Sequence, residues 1–502
     1  MNSPVNATPR ARQPEPTGAL FDEVLALRAE VVAGAAPWMQ RFGRDAGAPQ
    51  PALANLAHYL AFRRHDRRGL QRQLMWRGIS SLGRLESRVL PTLDAVIVAL
   101  AAMAGRPCPI IPPEEHDFFD GETRLRAATD RLFGPPPEGR RERIMVTLPS
   151  TAAGDPDFIL DLAKRGMDVA RINCAHDDPE AWRAMTAHIR KAGETIGRRI
   201  AILMDIAGPK IRTEAVLQLD KKAKLAAGDA LRLVASGAPR VTAEVPYAAA
   251  VSLPELVTRL SVGDRFRYDD GKLEGEVESL GDREAVIRIT RAKGSGVKLK
   301  PEKGINLPDT ALGLSPLTAK DHDDLATVAE CADMIGYSFV SQPEDIDLLE
   351  GFLVEHCADR PAEFPLGLVA KIERPEAVKN LPDLIARASS SRPFGVMIAR
   401  GDLAAEIGFE RLAEMQEEIL WICEAAGVPA IWATQVLEDL VKTGIPSRGE
   451  MTDAAMAARA ECVMLNKGAA IGTAVELLDG LLQRMDTHVF KKTPTLRALK
   501  SW

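Results

Sequence analysis

Two hydrophobic periodicities divide this chain. Over residues 19–106 the apolar positions recur at helical spacing. Leu20, Val24, Leu25, Leu27 and Val31 form one stripe, and Leu53, Leu56, Leu60 and Phe62 form a second, opened by Pro51. A third helix is expected from about Leu82 to Ala104. Such stripes need a partner surface, so this N-terminal helical domain is expected to pack against the rest of the chain or to build the interface of a homo-oligomer. Residues 107–140, with Pro112-Pro113 and Pro135-Pro136-Pro137, read as a linker. The pattern then changes to short apolar runs at Arg143–Pro149, Asp168–Ala175, Arg199–Ala207, Asp333–Val340, Leu366–Glu373, Phe394–Gly401, Pro429–Val436 and Cys462–Gly468, nearly all followed by a helical segment. Eight βα units in a row predict an α/β fold, a TIM (β/α)8 barrel over residues 141–213 and 301–490.

The interval between the third and fourth runs breaks the rhythm. Ala230-Leu231-Arg232-Leu233-Val234, Arg265-Phe266-Arg267-Tyr268 before Asp269-Asp270-Gly271, and Ala285-Val286-Ile287-Arg288-Ile289 read as short strands with turns. Residues 214–300 are therefore expected to form a small inserted β-barrel domain, placed to act as a lid. Residues 1–18, rich in Pro, Arg and Asn, are expected to be a disordered tail, and 491–502 a C-terminal tail.

Composition narrows the classes. At 502 residues, 46% apolar and 27% charged, the chain has material for more than one core. A net charge of −6 gives no global basic excess for nucleic acid. The run Arg63-Arg64-His65-Asp66-Arg67-Arg68 reads as a solvated helix face. Gly78-Ile79-Ser80-Ser81-Leu82-Gly83 resembles a helix-hairpin-helix turn too faintly to carry weight. The cysteines (Cys108, Cys174, Cys331, Cys357, Cys423, Cys462) show no CxxC spacing and read as buried thiols of a reducing, cytoplasmic compartment. The most apolar stretch, Val96 to Ala104, is too short to span a membrane, and no signal core is visible.

Two strand ends carry chemistry. Ala370-Lys371-Ile372-Glu373 places a cation and a carboxylate two residues apart, hence on one side of a strand. Met397-Ile398-Ala399-Arg400-Gly401-Asp402-Leu403 delivers a second carboxylate from the next strand. Glu373 and Asp402 together suit Mg2+, which takes few protein oxygens and keeps places for substrate phosphate. Lys371 suits neutralisation of a phosphoryl group in transfer.

Further segments carry a family resemblance. Arg171-Ile172-Asn173-Cys174-Ala175-His176, Asp205-Ile206-Ala207-Gly208-Pro209-Lys210-Ile211-Arg212-Thr213, Asp269-Asp270-Gly271, Lys371-Ile372-Glu373, Ala399-Arg400-Gly401-Asp402-Leu403, Ala433-Thr434-Gln435 and Ser447-Arg448-Gly449-Glu450 resemble, in order, the signatures of pyruvate kinases, over roughly Arg143 to Met485. The resemblance implies phosphoryl transfer from phosphoenolpyruvate to ADP, giving pyruvate and ATP. It implies Mg2+ on Glu373 and Asp402, Lys371 at the transferring phosphoryl, and Arg171 on the phosphate. It also implies backbone N–H groups around Gly401 and Asp402 for the substrate carboxylate, Thr434 beside the methylene carbon of the enolate, and Asn173, His176 and Arg212 on the nucleotide and phosphate side.

The departures from the family pattern shape the expectation. Potassium-dependent members hold the ion with Asn, Ser, Asp and Thr; here the Ser position is Ala175 and the Thr position is Ile206, neither able to ligate K+. Lys210 replaces the family's Glu, as in potassium-independent members, and supplies a tethered positive charge. K+ is therefore expected not to be required. The Ser and Glu of the family's "MLSGETA" become Asn466 and Gly468, and the loop Thr147-Leu148-Pro149-Ser150-Thr151 is one residue short. The pattern stops soon after the eighth barrel helix, so a C-terminal effector domain is expected to be absent. Two rival readings follow: a Mg2+-dependent lyase or decarboxylase acting through a pyruvate enolate, and a non-catalytic phosphoenolpyruvate sensor.

Overall fold

The computed structural model describes residues 16–43, 50–310, 313–358, 360–361 and 364–494. The expected tails lie mostly outside these residues. Contacts divide the chain into two compact units, one running up to Ala127 and including Glu424–Gly427, the other formed by Ala128–Cys423 and the residues from Val428 onward.

The first unit is helical. Helices span Pro16–Phe42, Pro51–Arg63, Arg68–Met75 and Val89–Ala104. Leu20, Val24, Leu27 and Val31 are buried along one face of the first, and Leu53, Leu56 and Phe62 along the second. The helix expected from Leu82 begins only at Val89, because Leu82 adopts a left-handed φ of 59° that interrupts helical backbone. Within the basic run, Arg67 pairs with Glu30 and Arg68 with Asp66, on an exposed face.

The second unit is built on eight parallel strands: β1 Arg143–Thr147, β2 Val169–Asn173, β3 Ala201–Asp205, and, after the insertion, β11 Met334–Tyr337, β12 Gly367–Ile372, β13 Phe394–Ala399, β14 Ala430–Ala433 and β15 Cys462–Leu465. They close in the order β1-β15-β14-β13-β12-β11-β3-β2. All eight expected runs are barrel strands, and each run extended past its strand into the loop that carries polar residues. Met145, Val169, Leu203, Met334, Val369 and Met397 pack the interior together with Leu132 and Phe133. Those last two belong to a helix, Glu115–Phe133, inside the stretch read as a linker. The flanking prolines suggested a linker, yet Leu132 fits under the starts of β12 and β13. A Cβ at Gly367 would come within 2.7 Å of it, and one at Gly395 within 2.6 Å.

Seven strands form the insertion: β4 Thr213–Gln218, β5 Ala230–Val234, β6 Tyr247–Val251, β7 Arg265–Tyr268, β8 Leu273–Gly281, β9 Glu284–Ala292 and β10 Ile305–Asn306, in the order β10-β7-β8-β9-β5-β6-β4. Phe266, Tyr268, Leu231, Leu233, Ile287 and Ile289 fill its own core. The two connections to the barrel run side by side, with Ile305 N–H donating to Ile211 O and Thr213 N–H to Lys303 O, both at 2.9 Å. Across the gap the Arg267 guanidinium donates to the carbonyls of Ala404 (2.9 Å) and Ala405 (2.6 Å), in the helix that carries Asp402.

Candidate active site

The carboxyl ends of the barrel strands converge on one cavity lined by Arg171, Asn173, Lys210, Arg212, Lys371, Glu373, Asp402 and Thr434, among others. Active sites on this fold sit at that end. Three cations, Arg171, Lys210 and Lys371, face three carboxylates, Asp205, Glu373 and Asp402. Lys371 Nζ lies 3.0 Å from Glu373 and 3.2 Å from Asp205, and donates to Ser338 Oγ at 2.6 Å. Arg171 grips Asp205 through Nε (2.9 Å) and Nη2 (2.5 Å) and reaches Thr147 Oγ1 at 3.0 Å. Lys210 donates to both oxygens of Asp402.

Burial and charge act in opposite senses on these groups. Burial opposes ionisation of Asp205, but Lys371 and Arg171 outweigh it and hold the carboxyl below its usual range. Burial is likewise outweighed at Asp402, by Lys210, and the net shift is down. Glu373 is pushed up, by burial first and by repulsion from Asp402, with Lys371 offsetting only part. Both lysines are raised, because the facing carboxylates exceed the cost of burial, so both are charged at neutral pH.

Glu373 is buried and Asp402 half-buried, and a divalent cation would relieve their mutual repulsion. Among the described residues no group of three or more His, Cys, Asp and Glu is arranged to hold a metal ion. A two-carboxylate donor set that leaves coordination places open fits Mg2+ better than a metal wanting a full protein cage.

Several supporting residues escaped the sequence reading. Ser338 and Phe339 follow β11. The Phe339 N–H donates to Glu373 Oε2 at 2.7 Å, and Phe339 itself has a φ of 58°, a costly conformation for a bulky residue. Gly208, at φ 65°, makes room for this turn, since a Cβ there would lie 2.9 Å from the Phe339 ring. Their only sequence signal was position at a strand end. Thr434 and Gln435 also occupy left-handed backbone, at φ 65° and 55°. Arg400 braces that turn, donating to Ala433 O (2.9 Å) and Thr434 O (2.6 Å) while paired with Asp453.

Two expected residues stand apart from the cavity lining. Gly401, in the helix Arg400–Ile407, gives its N–H to Thr434 Oγ1 at 2.8 Å, so this donor has a partner within the protein. His176 is exposed at the rim; burial first, then the positive charges of Lys467 and Arg212, lower its pKa. Lys467 thereby joins the cationic rim, a residue the sequence reading had noted only as part of a diverged loop. Lys210, expected to supply a tethered positive charge, donates to both oxygens of Asp402 from beyond the Gly208-Pro209 turn.

A TIM barrel with an inserted β domain, and a carboxylate pair facing lysines and arginines at the carboxyl ends of its strands, defines a class of barrel proteins. Residues 139–475 match the family described as pyruvate kinase, barrel domain. The chain is 32% identical over 336 residues to a pyruvate kinase of Geobacillus stearothermophilus, covering 66% of this chain and 54% of that one. It is 32% identical over 373 residues to a pyruvate kinase of Agrobacterium vitis, covering 72% of each. A solved structure of a pyruvate kinase from Cryptosporidium parvum matches with a TM-score of 0.61 at 27% identity, over 72% of this chain and 73% of that one. This chain belongs to the pyruvate kinase family. It spans about half the length of the Geobacillus relative, at 54%, and about three quarters of the Agrobacterium one, at 72%.

Proposed function

We propose that this protein transfers the phosphoryl group of phosphoenolpyruvate to ADP, forming pyruvate and ATP. The observation that carries the reading is the single cavity in which Lys371 and Arg171 face Glu373 and Asp402. Glu373 and Asp402 would hold Mg2+, which when bound supplies Lewis-acid charge to substrate oxygens. Lys371 stabilises the phosphoryl group in transfer, where charge spreads over its oxygens, and Arg171 holds the phosphate. The N–H groups at the start of helix Arg400–Ile407 take the substrate carboxylate, as helix N-termini take anions generally. This requires the Gly401 N–H to exchange its Thr434 partner for the ligand, which frees the Thr434 hydroxyl beside the methylene carbon. Asn173, His176 and Arg212, with Lys467 nearby, form the nucleotide side. Lys210 supplies a fixed positive charge in place of K+.

A coupled assay with phosphoenolpyruvate, Mg2+ and a panel of nucleoside diphosphates tests this. Pyruvate should form only with a diphosphate present. Glu373→Ala or Asp402→Ala should abolish Mg2+-dependent turnover with the fold intact. Lys371→Met should lower turnover about a thousandfold, several kcal/mol of transition-state stabilisation. Near-normal activity in Glu373→Ala at ordinary Mg2+ would sink the assignment. The second reading, an enolate lyase or decarboxylase, is favoured by Gly468, where a Cβ would meet Val441 Cγ1 at 2.4 Å, leaving no room for the family's Glu. It is supported instead if pyruvate forms from another acid without any diphosphate.

A further inference from the structure

Beyond Phe339 lies a second cavity of about 230 Å3, which shares only Lys210 and Phe339 with the lining of the site above. It opens between β10 with the residues that follow it (Leu307, Pro308, Thr310, Gly313 and Leu314) and the loops after β11 and β12. None of the residues assigned to nucleotide lines it. Its volume falls below the ~300–1,000 Å3 usual for drug-sized ligands, which suits a small molecule.

The charges of its wall are mostly closed on one another. Lys210 is held by Asp402, and Asp345 accepts the N–H groups of Ser341 (2.7 Å) and Gln342 (3.0 Å). Glu376 is exposed. Two opposite charges are left open. The Arg374 guanidinium stacks on the Phe339 ring at 5.1 Å and, among the described residues, has no ion-pair partner. Glu406 accepts the Asn306 amide at 3.0 Å on one oxygen only. Burial raises the Glu406 pKa, the Asn306 hydrogen bond and Arg374 offset part of that, and no ion pair joins Arg374 and Glu406 among the described residues. A cation and a carboxylate thus face one cavity without meeting across it. The same lining includes the apolar side chains of Ile211, Ile305, Leu307 and Leu314.

We propose that this cavity binds an aliphatic α-amino acid, with its carboxylate on Arg374, its ammonium on Glu406 and its side chain against the apolar wall. A zwitterion closes both open charges by charge-assisted hydrogen bonds, the strong kind, whereas a simple anion or cation closes one and leaves the other desolvated. Phosphoenolpyruvate has no ammonium, so the ligand differs in class from the substrate of the neighbouring site.

The test is binding to the full chain without phosphoenolpyruvate, nucleotide or metal, so it succeeds or fails independently of the proposed phosphoryl transfer. The twenty standard L-amino acids are screened by thermal shift, and hits are titrated calorimetrically. At least one aliphatic amino acid should bind saturably with 1:1 stoichiometry. For L-valine as probe, isovalerate, which lacks the ammonium, and isobutylamine, which lacks the carboxylate, should each bind at least tenfold more weakly. Arg374→Gln and Glu406→Gln should each weaken binding at least tenfold. No saturable binding by any amino acid, isovalerate binding as well as valine, or undiminished binding in both variants would each overturn the proposal. The analogue comparison uses the unaltered protein, so a variant that fails to fold does not shelter it.

Discussion

Lys210 donates to both carboxylate oxygens of Asp402, at 2.8 and 3.1 Å. A tethered ammonium thus lies beside the carboxylate pair proposed for the metal, while the potassium-ligating positions of the family are Ala175 and Ile206. The Asp205 carboxylate, next to Ile206 in the chain, is already taken by Arg171 and Lys371. Turnover should therefore be the same in tetramethylammonium buffer with and without KCl. Strong stimulation by KCl, absent with choline chloride, would defeat this. Lys210→Glu should cripple turnover without rescue by K+, because Ala175 and Ile206 still offer no oxygens.

Arg400 ties the strained Thr434 turn to the helix bearing Asp402. Its guanidinium also lies 4.6 Å from the Trp432 ring. Left-handed conformations at Thr434 and Gln435 cost on the order of 1–3 kcal/mol each and persist only where the surroundings impose them. Arg400→Ala leaves two carbonyls without their donor and Asp453 without its partner, and should lower unfolding stability by about 1–3 kcal/mol, with a larger proportional loss of turnover than of substrate binding. Arg400→Lys keeps the charge but not the fork of donors, and should fall between. Urea unfolding and kinetics of the two variants check this; equal stability of all three proteins would show that Arg400 does not brace the turn.

The strand chemistry was legible because it depends on short-range spacing. Lys371 and Glu373 lie two apart on one strand, and the structure puts their charged ends 3.0 Å apart. The eight strands were legible for a similar reason, each being a short buried run bounded by polar loops. The contribution of Phe339 was not, because it acts through a backbone N–H set by a left-handed φ, which no side-chain pattern encodes. Nor was the helix ending at Phe133. Its reason is long-range: Leu132 fits beneath Gly367 and Gly395, more than two hundred positions later in the chain. The flanking prolines gave only the local view, and that view favoured a linker.

Gly468 stands where the family has a Glu, and its surroundings have closed around it. A Cβ would meet the Val441 side chain at 2.4 Å and its carbonyl oxygen at 2.6 Å. Backbone cannot yield as a flexible side chain does. Gly468→Glu, nominally a return to the family pattern, should therefore destabilise the protein by at least the ~1–3 kcal/mol typical of overpacking and should not raise turnover. A stable variant with enhanced activity, measured by thermal melting and the coupled assay, would show that the loop accommodates the carboxylate.

Glu142 precedes β1, is 4% exposed, and its Oε2 has no hydrogen-bond partner. Burial raises its pKa from 4.5 to about 7, against the weaker pull of backbone hydrogen bonding and Arg141. Below pH 4.5 the carboxyl is protonated in the folded and unfolded chain alike and its burial costs nothing in ionisation. As pH rises from 4.5 to 7 the unfolded chain releases the proton while the folded one retains it, so stability falls. Above 7 the full penalty stands, roughly 3 kcal/mol for a shift of this size. Glu142→Gln keeps the shape and never ionises. The stability difference between variant and parent should therefore grow by about that amount between pH 4.5 and pH 8, in favour of the variant. Urea denaturation at both pH values measures it; parallel changes in the two proteins would show that Glu142 ionises as freely in the fold as in the unfolded chain.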